Sequence, residues 1–174
     1  MTCIVAARQD EKIYMAGDRG ASESNLIMSL TSPKVWKYGE YLFGYCGSMD
    51  GDRMKYNFKP PAPKGDDLDK FMYTDFLIAL RVFYENWWVD VSNESDFGLL
   101  IGIRGKIYEH NAVDMSLNQY MHDYVAMGSG SEYAYGSMYS TEGLKDTRKR
   151  VMKAVSAAIK FSTSCQGPVD IVSS

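Results

Sequence analysis

The second residue of the chain, Thr2, stands at the head of an apolar run, "TCIVAAR". A threonine whose own nitrogen is a free terminal amine carries a complete proton-transfer pair. The hydroxyl is a nucleophile. The α-amine, with an ordinary pKa of about 7.7–8, is partly neutral at physiological pH and takes the hydroxyl proton directly or through a water. Such a device needs helpers. A nearby ammonium keeps the amine neutral and favours the alkoxide, because like charges disfavour protonation. A carboxylate must hold that ammonium, and a backbone N–H must receive the developing oxyanion. The nitrogen is freed only when Met1 leaves, which a small residue such as threonine at the second position favours without any self-cleavage.

Other catalytic devices are missing from the sequence. It has no G-x-x-x-x-G-K-[ST] phosphate loop, no H-E-x-x-H and no G-x-S-x-G elbow. Its two histidines, His110 and His122, lie in unremarkable surroundings, so a hydrolase here would not use histidine as its base. Cys3, Cys46 and Cys165 are odd in number and widely spaced, which predicts neither a disulfide framework nor a zinc site. Threonine chemistry of this kind calls for no cofactor and no metal. The opening lacks the basic segment and unbroken apolar core of a secretory leader, and no apolar run approaches the ~18 residues that cross a bilayer. A cytoplasmic location is expected. With 22 acidic and 19 basic residues the net charge is −3, which argues against nucleic acid as a partner.

The elements that must position Thr2 follow from hydrophobic patterning. "CIVAAR" and "KIYMAGD" flank the polar turn "QDEK", and "VWKY" and "YLFGYCG" flank Gly39-Glu40, which predicts two hairpins with "LIMSLTS" as a short strand between them. A helix is expected in "SMDGDRMKYNF", then an exposed loop in "KPPAPKGDD". "DLDKFMYTDFLIALRVFYENWW" places Leu68, Phe71, Met72, Phe76, Ala79, Leu80, Phe83 and Trp87 on one helical face, with Asp66 or Asp67 as cap. "FGLLIGIRGKIYEHNA" and "DYVAMGSG" return to strand. "SEYAYGSMYS" and "LKDTRKRVMKAVSAAIKFS" read as helices, the latter with Leu144, Val151, Val155 and Ile159 on one side, and "GPVDIVSS" as a last strand. Grouped strands and grouped helices predict an α+β fold, a four-layer αββα sandwich of two antiparallel sheets flanked by helices. At 174 residues, 45% hydrophobic and 24% charged, one domain spanning 1–174 is expected.

"TCIVAARQDEKIYMAGDRG", "SPKVWKYGEYLFGYCGS" and "AMGSGSEYA" together resemble the N-terminal nucleophile (Ntn) threonine hydrolases of the proteasome β-subunit class, most of all the small bacterial HslV-type peptidase. The resemblance runs from Thr2 to the final strand and is weakest between about 50 and 95. It implies the αββα sandwich and a threonine-type endopeptidase working as a homo-oligomeric, self-compartmentalising ring on peptides or unfolded proteins, with a separate ATPase unfoldase as a partner. Carried over by position, Thr2 matches the nucleophile, Asp18 the buried carboxylate and Lys34 the invariant lysine. Gly47 matches the oxyanion glycine and Ser129 the serine that orients the amine.

Each of these residues also has an ordinary explanation. Asp18 in "GDRG" can be a turn residue, Lys34 a solvated surface lysine, Gly47 a bend and Ser129 a helix cap. The chain also departs from the family. Cys3 follows the nucleophile where the family often has threonine or serine, and reads as a small packing residue. The Lys34–Gly47 hairpin looks short, which leaves Ser48 as the alternative to Gly47. "KFSTSCQGPVD" puts Ser162 where the family carries an aspartate, with Cys165 near the position of its serine. Two other functions therefore stay open. One is a catalytically inactive ring or scaffold subunit, and the other an amidase acting on a small molecule.

Overall fold

Alternation of apolar side chains with period two builds the sheets. In a computed structural model that describes residues 2–23, 26–87 and 97–174, the chain begins with β1 (Ile4–Gln9), β2 (Lys12–Gly17), β3 (Gly20–Glu23), β4 (Leu26–Ser29), β5 (Val35–Tyr38) and β6 (Tyr41–Cys46). Helix α1 (Asp50–Asn57) follows, then α2 (Leu68–Phe71), joined to α3 (Leu77–Trp87) by a π-helical turn at Met72–Phe76. The second half holds β7 (Gly98–Ile103), β8 (Lys106–Asn111), β9 (Ser116–Asn118), β10 (Tyr124–Met127), α4 (Ser131–Ser140), α5 (Thr147–Phe161) and β11 (Asp170–Ser173).

All strand pairs are antiparallel. One sheet has the order β10-β1-β2-β11, the other β5-β6-β7-β8-β9, and β3-β4 forms a separate two-stranded ribbon. Alternate residues of β1 serve two layers. Ile4 and Ala6 meet Met15, Val35, Leu42 and Leu100 between the sheets, while Cys3, Val5 and Ala7 face α4 and α5. The second sheet alternates likewise: Leu42 and Leu100 point inward, and Tyr41, Phe43, Tyr45, Leu99 and Ile101 pack under α1 to α3. Helices, sheet, sheet, helices: the α+β, four-layer αββα architecture expected from the element order is the one observed.

Capping sets where the long helices begin. Asp67 accepts the Lys70 N–H at 2.9 Å and Asp146 the Lys149 N–H at 3.0 Å, so each satisfies an otherwise orphan donor of a first turn. Asp146 also corrects one expectation. Leu144 precedes the cap and is exposed, whereas Val151 and Val155 are buried and Ile159 partly so. On the aromatic helix Phe71, Met72, Phe76, Leu80 and Phe83 are buried, but Trp87 is exposed, stacking on Phe83 at 6.2 Å. Trp88, expected as that helix's last residue, lies outside the described residues, as does Met1. Strands β3 and β9 were not expected from the sequence. Both are short, and β3 is polar.

Candidate active site

Strand register brings three chain segments to one end of the first sheet. Ile4 pairs with Gly17 of β2 and with Met127 of β10. Both ladders run on past the strands: Asp18 N–H donates to Cys3 O at 3.2 Å, and Gly130 N–H to Thr2 O at 3.1 Å. Thr2 therefore emerges between the residues that follow its two neighbours, Asp18 on one flank and Ser129 on the other. Gly128 permits the close approach. Its φ is +89°, and a Cβ there would lie 2.3 Å from Thr2 O.

Lys34 arrives from the second sheet. Tyr45 N–H donates to Lys34 O at 3.2 Å, so the residue just before β5 is fixed to the β5–β6 ladder. Its ammonium donates to Thr2 Oγ1 at 2.7 Å, to Asp18 Oδ1 at 3.1 Å and to Gly20 O. Thr2, Asp18 and Lys34 are 2%, 0% and 1% exposed, so this lysine is no solvated surface residue. A buried ion pair is tolerated only when hydrogen bonds compensate for lost water. Asp18 meets that condition: it also accepts N–H groups of Cys3 at 3.0 Å, Gly20 at 2.9 Å and Gln166 at 3.1 Å. It is more than a turn residue, because it ties β1, the β3 entry and the loop before β11 to one point.

A hollow of about 330 Å³ adjoins this group, lined by Thr2, Lys34, Ala21 and Met28 of the β3–β4 ribbon, and Tyr45 and Gly47 at the end of β6. Gly47 has φ +84°, a backbone shape that favours glycine. Ser48 lines the hollow too, but its hydroxyl is bonded to Asp50 Oδ2 at 2.7 Å. The five residues singled out in the sequence thus gather at one end of the sandwich: Thr2, Asp18 and Lys34 in direct contact, Ser129 Oγ 3.1 Å from Thr2 N, and Gly47 on the shared hollow.

This geometry can be set against known proteins. No protein-family model and no curated protein sequence matches the chain. Solved structures do. Thiobacillus denitrificans BPH in complex with epoxomicin superposes with a TM-score of 0.77 at 21% identity, covering 99% of this chain and 98% of that one. HslV from Trypanosoma brucei superposes with a TM-score of 0.72 at 16% identity, over 99% and 98% of the two chains. The fold is the HslV fold. At these identities the likeness carries the fold alone, and it agrees with the family resemblance read from the three sequence motifs.

Ser164 was not among the expected residues; its Oγ lies 2.9 Å from Ser129 Oγ. Cys165 joins Cys3 under α4 and α5. Burial pushes the Cys3 thiol well up, away from thiolate, which fits a packing residue and not a nucleophile. The backbone groups Gly20 O and Gln166 N were also missed, since no side-chain type announces a main-chain partner. Among the described residues no group of three or more His, Cys, Asp or Glu side chains could hold a metal, and no helix is long and apolar enough to cross a membrane.

Proposed function

We propose that this chain is a threonine-type endopeptidase of the HslV kind, one domain long, assembled in a self-compartmentalising ring in the cytoplasm. The observation that carries the proposal is the 2.7 Å hydrogen bond from Lys34 Nζ to Thr2 Oγ1, buried and backed by Asp18.

With Met1 removed, the Thr2 hydroxyl attacks the peptide carbonyl while the Thr2 amine takes its proton. Lys34 stabilises the developing alkoxide and keeps the amine neutral through like-charge repulsion. Gly47 N–H receives the tetrahedral oxyanion, and Ser129 orients the amine. The C–N bond breaks, the amine returns its proton to the leaving group, and water then releases the acyl group from Thr2. Peptide or unfolded chains are the substrates, and a separate ATPase would deliver them.

A second reading has one observation in its favour: Ser162 stands where the family carries an aspartate, as an inactive ring or scaffold subunit would tolerate. Hydrolysis of fluorogenic peptides by the Met1-free protein decides between them. Cleavage that disappears in Thr2→Ala supports the peptidase, and equal rates in both proteins would remove it.

A further inference from the structure

The wall of the hollow beside Thr2 holds a chemistry to which the peptidase reading gives no part. Among the described residues three methionines are well exposed: Met28 at 54%, Met49 at 51% and Met121 at 98%. Two of these three, Met28 of β4 and Met49 just before α1, line this one hollow. Ala21 and Tyr45 add apolar surface to it, and the Lys34 ammonium is already committed to Thr2, Asp18 and Gly20. A thioether offers soft, adaptable surface to an apolar side chain, and it is also a group that peroxide oxidises. The thiols of the chain are not open to that reaction. Cys3, Cys46 and Cys165 are all buried, and burial pushes Cys3 and Cys165 up, away from the thiolate.

We infer that Met28 and Met49 are oxidation sites that make substrate binding in this hollow sensitive to peroxide. The inference rests on the proposed attack by Thr2, which puts the side chain next to the scissile carbonyl into the hollow. In the oxidation, the thioether sulfur gives an electron pair to one oxygen of hydrogen peroxide. The O–O bond breaks, an S–O bond forms, and the second oxygen leaves as water. Sulfur is oxidised, peroxide is reduced, and no proton stays on the protein. The sulfoxide is polar, so two separate segments of the wall change character together. An apolar side chain seated there would bury both sulfoxide oxygens without a partner, which is costly. An amide side chain can donate to them. Met121 lies between β9 and β10, away from the hollow lining, and serves as the internal control.

The test treats the Met1-free protein with rising hydrogen peroxide and locates the added oxygen by peptide mapping. KM and kcat are measured for two fluorogenic peptides, one with leucine and one with glutamine before the scissile bond. Binding of the leucine peptide with a reduced, uncleavable scissile bond is followed by fluorescence anisotropy. Oxygen is expected on Met28, Met49 and Met121, while the buried Met15, Met54 and Met72 stay unmodified. KM for the leucine peptide and Kd for its uncleavable form rise about tenfold, with kcat little changed, and preference moves toward glutamine. Methionine sulfoxide reductases of both epimer specificities reverse the effect. Met28→Leu/Met49→Leu loses the response to peroxide, whatever its own KM, and Met121→Leu keeps it. Oxygen on Met28 and Met49 with KM and Kd unmoved overturns the inference. So does oxygen on Met121 alone, or a response that persists in the double leucine variant. Binding needs no turnover. A Kd that rises on oxidation without any peptide cleavage would uphold the inference and sink the peptidase, and cleavage with a fixed Kd would do the reverse. No binding to the untreated protein would remove both.

Discussion

Lys34 Nζ lies 2.7 Å from Thr2 Oγ1 and 3.1 Å from Asp18 Oδ1, so one buried ammonium joins a hydroxyl to a carboxylate across the two sheets. Polar groups placed so deeply must satisfy one another, and removing any one of them has consequences that differ in kind.

Lys34→Met keeps the length of the side chain and deletes its charge. The hydroxyl loses the donor that favours its alkoxide, and kcat for peptide hydrolysis is expected to fall about 10²–10³-fold, with KM little changed. Steady-state kinetics on the Met1-free protein check this.

Asp18→Asn is chiefly a stability lesion. It leaves the Lys34 ammonium buried without a counter-charge, which costs about 3–5 kcal/mol. Denaturant unfolding measures the loss. The double variant Asp18→Asn/Lys34→Met is expected to lose less than the sum of the single variants, because the two side chains form one interaction.

Gly128 and Gly136 make a matched pair. Alanine at 128 meets both a φ of +89° and Thr2 O at 2.3 Å, so Gly128→Ala is expected to cost at least 1–3 kcal/mol, roughly the range for strained backbone, and to displace Thr2. Gly136 lies inside α4 with open space around it, and Gly136→Ala is expected to stabilise by about 0.5–1 kcal/mol. Thermal melts of the two variants should shift in opposite directions.

His110 gives the fold a pH dependence of its own. It is fully buried, and burial lowers its pKa to about 4. Below an unfolded value of about 6.5 the unfolded chain binds the proton and the folded one does not, so stability is complete above that pH and declines as pH falls toward 4. The loss by pH 4 is on the order of 3 kcal/mol. His110→Phe keeps an aromatic ring against Tyr84, whose centroid is 5.9 Å away, but gives up the 2.8 Å contact with Ser116 O. It should be less stable at pH 7 yet show a shallower decline from pH 7 to 4.5, measured by urea unfolding.

Much of this architecture can be read from the sequence because it rests on local rules. The apolar run Ile4–Ala7 and the Gly39-Glu40 turn demand sheets, and Asp67 supplies a cap. What eluded sequence reading is non-local. Strand β3 holds only four polar or small residues and pairs with β4 alone, so no apolar period marks it. Trp87 is in helical phase with buried Leu80 and Phe83 but ends α3, and it is exposed. The burial of Lys34 cannot be seen in "SPKVW", because it is created by partners 32 and 16 positions away. Within "STSC" nothing in the spacing singles out Ser164, whose contact with Ser129 spans 35 positions of sequence.

The most direct test traps the acyl intermediate. The Met1-free protein is mixed with a peptide thioester, quenched within one turnover, and its modified residue located by mass spectrometry. A single acyl group on Thr2, absent in Thr2→Ala and slow to form in Lys34→Met, is the result expected. An acyl group on another residue, or hydrolysis that continues in Thr2→Ala, contradicts the assignment of Thr2 as nucleophile.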